Sequence, residues 1–170
     1  NPTNDTIGGL SNSFRRFSCT YGGSCPSMPG TGNGLLYTTT PTLTAAPNTV
    51  ALTYGDVLSL SNYAYSLSGY LGSDAAADSI TGTLTGSTNY TQGSGIGNYA
   101  INYSSGSLAS AMGYALSYSS PSNAITVTPR AIAIAVNAQS KQYGATDPTL
   151  TYQITSGSLF GSDGFTGALS

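Results

Sequence analysis

Histidine, glutamate and tryptophan do not occur in this sequence, and charge of either sign is scarce. Lys and Arg together number four and the acidic residues six, all of them aspartate, so 6% of positions are charged, against about a quarter in an average soluble protein. Each absence removes a class of function. Without His, a serine hydroxyl lacks its usual base, and the two cysteines lack the partners that a structural zinc site needs. The four cations are Arg15, Arg16, Arg130 and Lys141, too few and too scattered to neutralise phosphates, so no nucleic-acid partner is expected. No apolar run approaches the roughly 18 residues of a membrane helix, so no membrane insertion is expected. Glu and Lys, common helix formers, are nearly missing, and helical spacing is sustained nowhere.

What remains is Ser, Thr, Asn, Gly and 13 tyrosines, arranged with a period of two. Tyr99, Ile101 and Tyr103 alternate with Ala100 and Asn102, Ile125 and Val127 with Thr126 and Thr128, and Ile132, Ile134 and Val136 with alanines. Tyr114, Leu116 and Tyr118 form another such row. Alternation of this kind marks half-buried strands. The run from Leu58 to Leu67 changes phase near Asn62, as at a β-bulge. Gly93-Ser94-Gly95 reads as a hairpin loop, and Asp74-Ala75-Ala76-Ala77-Asp78 as the one plausible helical turn. The expected fold class is all-β.

The chain also repeats itself. Tyr54-Gly55 returns 89 residues later as Tyr143-Gly144, Tyr63 as Tyr152, and Gly72-Ser73-Asp74 as Gly161-Ser162-Asp163. This period suits a small β-domain used in series. The expected division is a terminal segment over 1–40, a first repeat over 41–128 and an incomplete second repeat over 129–170. The second copy stops about half way, so the sequence reads as a piece of a longer tandem array. Asn1-Pro2-Thr3-Asn4 is not a signal peptide. Leu35 to Pro41 and Ala124 to Pro129 both look like a terminal strand running into a Thr-Pro linker, so the former is read as closing a preceding unit.

The stretch from Ile125 to Gly144 (ITVTPRAIAIAVNAQSKQYG), with Asp147-Pro148-Thr149-Leu150-Thr151-Tyr152 and the continuation Ile154 to Leu169, resembles the bacterial immunoglobulin-like repeat called MBG, Tyr-Gly type. The first copy keeps Tyr54-Gly55, Gly72-Ser73-Asp74 and Gly97-Asn98-Tyr99-Ala100-Ile101 but has Asp56-Val57 where an Asp-Pro belongs. Residues 5–14 resemble a Gly-Leu repeat of β-helical segments. Such repeats occur in large secreted adhesins of the filamentous-haemagglutinin kind. The resemblance implies tandem Ig-like β-sandwiches behind an irregular or β-solenoid-like N-terminal segment. It further implies an extracellular or cell-surface stalk acting in attachment or biofilm, with no catalytic residues. Two other readings stand beside the stalk: an extracellular filament subunit completed by β-edge contact with a neighbouring subunit, and a module binding host or matrix glycans through exposed tyrosines.

Few residues offer chemistry. Cys19 and Cys25 lie in a Gly/Ser/Pro-rich loop and are expected to form a local disulfide, which places the chain outside the cytoplasm. Asp56, Asp74, Asp78, Asp147 and Asp163 stand in turn contexts, where capping backbone N–H groups is the ordinary role. Asp74 and Asp78 are the candidate calcium ligands, joined by Asp56 if the loops converge; no other cofactor is expected. Asn4, Asn89 and Asn102 begin Asn-x-Ser/Thr triplets and are glycan acceptors only in a host with that machinery.

Overall fold

A computed structural model describes residues 2, 7–20, 22–25, 27–59, 63–104, 106–167 and 169. It is nearly all β, with 33% strand and 3% helix, as the alternation and the shortage of helix formers require. The candidate acceptor Asn4 and the phase change at Asn62 lie outside the described residues.

Strands β1 (Phe14–Arg16) and β2 (Gly34–Leu36) form a parallel pair. Two three-stranded sheets follow. In one, β3 (Thr42–Pro47) is flanked by β5 (Tyr65–Ser68), antiparallel, and β11 (Ala115–Tyr118), parallel. In the other, β12 (Ile125–Thr128) lies between β4 (Val50–Thr53), parallel, and β8 (Gly97–Tyr99), antiparallel. Short antiparallel pairs join β7 (Thr85–Thr88) to β9 (Ile101–Ser104) and β6 (Ile80–Thr81) to β10 (Ala109–Ser110). The α-helical turn α1 (Asp74–Ala77) falls on the expected alanine run.

Period two is carried into burial. Ile125 and Val127 are buried while Thr126 and Thr128 are exposed, and Ile101 and Tyr103 are buried while Asn102 faces solvent. With Leu52, Tyr90 and Ala124 these residues form one core cluster. A second cluster holds Phe17, Leu43, Met112 and Tyr114, so the N-terminal segment contributes a fully buried ring to the first repeat.

Two local expectations are corrected. The row Tyr99, Ile101, Tyr103 is divided between two sheets: β8 pairs with β12 and β9 with β7. Residues 93–95 therefore connect β7 to β8, which do not pair, and are not a simple hairpin loop. At the break the Ala100 carbonyl accepts from the Thr88 hydroxyl, which satisfies it outside either ladder. Among the described residues of the expected strand from Leu58, Tyr65–Ser68 are the ones in a strand.

The second copy rebuilds part of the first. Strands β13 (Ala133–Val136) and β14 (Tyr152–Ser156) form an antiparallel pair at the sequence positions of β3 and β5. Val136 faces Tyr152 where Pro47 faces Tyr65, so the second hairpin is two residues tighter. Gly157 and Gly69 end the return strands with φ of +77° and +102°; a Cβ there would meet the Ala131 and Thr42 carbonyls at 2.5 and 2.6 Å. Only glycine allows that approach.

Candidate functional site

Cys19 and Cys25 are joined by a disulfide beside the buried Phe17. From this segment Arg15 reaches across to the first repeat, where its guanidinium pairs with the Asp74 carboxylate and donates to the Leu71 carbonyl. The Tyr114 hydroxyl donates to the other Asp74 oxygen at 2.5 Å and accepts from the Leu71 N–H. Asp74 is only 3% exposed. Its expected role as a turn cap is thus corrected: it holds a side-chain network that ties three distant stretches together. The carboxylate could not be buried without that cation and that donor.

Asp78 is equally engaged, accepting from the Ser110 hydroxyl and from the N–H groups of Ser79 and Met112. Asp74 and Asp78 are therefore near one another in sequence but committed to separate protein donors. Asp56 accepts from the Thr53 N–H at the Tyr-Gly turn. Among the described residues no group of three or more His, Cys, Asp or Glu side chains is placed to hold a metal ion. Asn89 and Asn102 are exposed.

Tyrosines act as latches. Tyr103 donates to the carbonyls of Tyr63 and Ala64, Tyr90 to that of Asp56 and Tyr99 to that of Gly95. Tyr103 and Tyr114 are buried, and Tyr99 and Tyr118 are half-buried, so these tyrosines pack toward the core. Tyr143 and Tyr152, by contrast, are exposed.

Burial, and then the hydrogen bond to Asp74, push the Tyr114 phenol up to about 12 from its ordinary 10.0. Burial raises Tyr70, Tyr90 and Tyr103 in the same direction. The folded chain keeps these protons after the unfolded chain has released them, so their stabilisation is full below pH 10 and is lost as pH climbs toward 12. Urea unfolding midpoints should fall across that window, with Tyr114 accounting for on the order of 2 kcal/mol. In Tyr114→Phe the fall should be visibly shallower; an unchanged slope would contradict the assignment.

The second meeting point lies between the two copies. Tyr54 and Phe160 pack edge to face with centroids 5.6 Å apart, and the Tyr54 hydroxyl donates to Asp163 at 3.4 Å. That hydrogen bond is the main cause of a raised Tyr54 phenol. Arg130, in the linker, donates to the Tyr54 carbonyl at 2.8 Å and lies 3.8 Å from the Asp56 carboxylate. Gly55 and Gly93 form the floor: a Cβ on either would come within 2.7 or 2.9 Å of the Phe160 ring. An open crevice of about 300 Å³ runs beside these groups, lined by Tyr54, Ile96, Pro129, Arg130, Phe160 and Asp163.

Sequence reasoning did not find Phe17, Arg15, Arg130 or Phe160 as site residues. The signal that was available is the recurrence of Tyr-Gly and Gly-Ser-Asp; what it could not give is that the Tyr-Gly of one copy meets the Gly-Ser-Asp turn of the next. No family model matches the chain, and neither a curated protein nor a solved structure is significantly similar to it.

Proposed function

We propose that this chain is a non-enzymatic stalk segment of a bacterial secreted or cell-surface adhesin, built from immunoglobulin-like β-sandwich repeats of the MBG type and acting in attachment or biofilm. The observation that carries the reading is serial construction. An antiparallel strand pair and a Gly-Ser-Asp turn are made twice, and the second copy touches the first through Tyr54 and Phe160. The resemblance over residues 125–169 supplies the adhesin context. The Thr128-Pro129 junction adds stiffness, because proline fixes its own φ and restricts the residue before it. Small-angle scattering from an array of several such repeats should give a rod-like profile, and a compact globule would defeat the reading.

A second reading is favoured by the open face of β13 and β14, where Ile134, Val136, Tyr152 and Ile154 are all exposed. The equivalent strand β3 has β11 along its edge, and its Leu43 and Ala45 are fully buried. A strand added by a neighbouring subunit along β13, as β11 lies along β3, would extend that sheet and make a filament. Sedimentation of the chain over a wide concentration range separates the two: assembly favours the filament, a constant monomer the stalk.

A further inference from the structure

The turn Leu71-Gly72-Ser73-Asp74 and the turn Phe160-Gly161-Ser162-Asp163 are the same object. In each, the Asp N–H donates to the carbonyl of the apolar residue three positions earlier, at 3.2 and 3.1 Å, and the glycine has φ of +57°. Each is met by an aromatic ring from the chain before it, and an arginine stands at each junction: Arg15 on the first turn itself, Arg130 on the turn that receives the second. Leu71 packs into the cluster that holds Phe17, and its carbonyl and Asp74 both take Arg15. Phe160 packs on Tyr54 over Gly55 and Gly93, and Asp163 takes the Tyr54 hydroxyl while Arg130 braces the Tyr54 carbonyl. The receiving residues also correspond. Phe17 is followed by Ser18 at φ +57° and Tyr54 by Gly55 at φ +89°, each after the strand of a parallel pair. The Tyr54 turn is itself firmly held: the Gln92 amide donates to the Gly55 carbonyl, the Tyr90 hydroxyl to that of Asp56 and the Thr53 N–H to the Asp56 carboxylate.

We propose that the Tyr-Gly turn is the docking surface for the apolar-Gly-Ser-Asp turn of the following repeat, and that this contact, not the Thr-Pro linker, sets the orientation of successive repeats. The glycine is needed because a side chain there would enter the space of the incoming ring, and its left-handed φ disfavours one as well. The aspartate gives the dock a direction, since it meets a hydroxyl or guanidinium donor only when the turn is seated. Tyr143-Gly144 has the same sequence, with Gly144 at φ +81°, but Tyr143 is fully exposed and no ring packs on it among the described residues. Tyr54 and Tyr143 are therefore equivalent in sequence, and Phe160 seats on the first of them.

Backbone amide relaxation of the whole chain tests this. In the parent chain the amides of 133–156 and of 97–128 should share one tumbling time. Phe160→Ser should release the second unit, lowering the transverse relaxation rates of 133–156 by roughly twofold, as independent motion of a small unit requires. Phe160→Leu should keep the parent rates, because Leu71 fills that place in the other turn. Tyr54→Ser, which leaves the β13–β14 hairpin untouched, should reproduce Phe160→Ser and guards against simple unfolding of that hairpin. Tyr143→Ser should change nothing. Parent rates in both Phe160→Ser and Tyr54→Ser would overturn the proposal in favour of the linker, and an equal release by Tyr143→Ser would overturn it as non-specific. The inference deepens the stalk reading, yet it is tested on this one junction, so a bent or compact longer array would defeat the stalk without touching this result.

Discussion

Asp74→Ala is expected to lower the unfolding free energy by about 3 kcal/mol, the lower end of the range for breaking a buried ion pair. The carboxylate is 3% exposed and holds Arg15 on one oxygen and Tyr114 on the other. Its removal leaves the Tyr114 hydroxyl, in a side chain only 4% exposed, without its acceptor, and such a group costs most of its desolvation free energy. The Arg15 side chain is 22% exposed, so it partly regains water, which is why the expected loss is not larger. Asp74→Asn keeps an acceptor for Tyr114 and loses only the charge, so its effect should be intermediate. Asp78→Ala gives the contrast: Asp78 is only half-buried and its donors are neutral, so about 1 kcal/mol is expected. Urea midpoints for the three variants settle the matter. Equal losses at 74 and 78 would show that both aspartates are ordinary turn caps.

Phe17→Ala should be comparably damaging, by about 3–5 kcal/mol, the usual range for deleting a fully buried ring. Phe17 has 0% exposure and lies against Tyr37 at 5.4 Å and Tyr114 at 4.7 Å. Because it carries the N-terminal segment onto the first repeat, the loss should be local before it is global. Trypsin makes this visible, since Arg15, Arg16, Arg130 and Lys141 are its only sites in the chain. The Arg15–Arg16 bond lies in β1, and both arginines are half-buried, so it should resist cleavage in the parent chain and be cut early in Phe17→Ala. Reducing the Cys19–Cys25 bridge should matter less, by about 2 kcal/mol on the chain-entropy account, because it closes a short loop. Early cleavage on reduction, with none in Phe17→Ala, would reverse this ranking and assign the segment's anchoring to the disulfide.

Much of the fold was legible because alternation is a local property. Ile101, Tyr103, Ile125 and Val127 are buried where the period of two puts them, and the alanine run after Asp74 forms an α-helical turn. Even so, the sequence does not say which ladder a strand joins. Tyr99 and Ile101 share one row in the sequence and two sheets in the molecule, because a satisfied break at Ala100 costs little and is invisible to periodicity. The parallel pairings of β3 with β11 and β4 with β12 join strands far apart in the chain, and no turn residue announces them.

The sequence by itself determined which residue types are missing, the all-β class, the 89-residue recurrence and several of the places where the backbone turns. These follow from composition and from spacing between near neighbours. Only the tertiary structure decided which of the similar-looking aspartates is buried and that Phe160 seats on the first Tyr-Gly pair. Asp74 owes its burial to Arg15, 59 residues earlier, and to Tyr114, 40 residues later. Tyr54 is covered because Phe160 arrives from 106 residues away. A charge or a ring is stabilised by what surrounds it in space, and over such separations that neighbourhood exists only once the chain has folded.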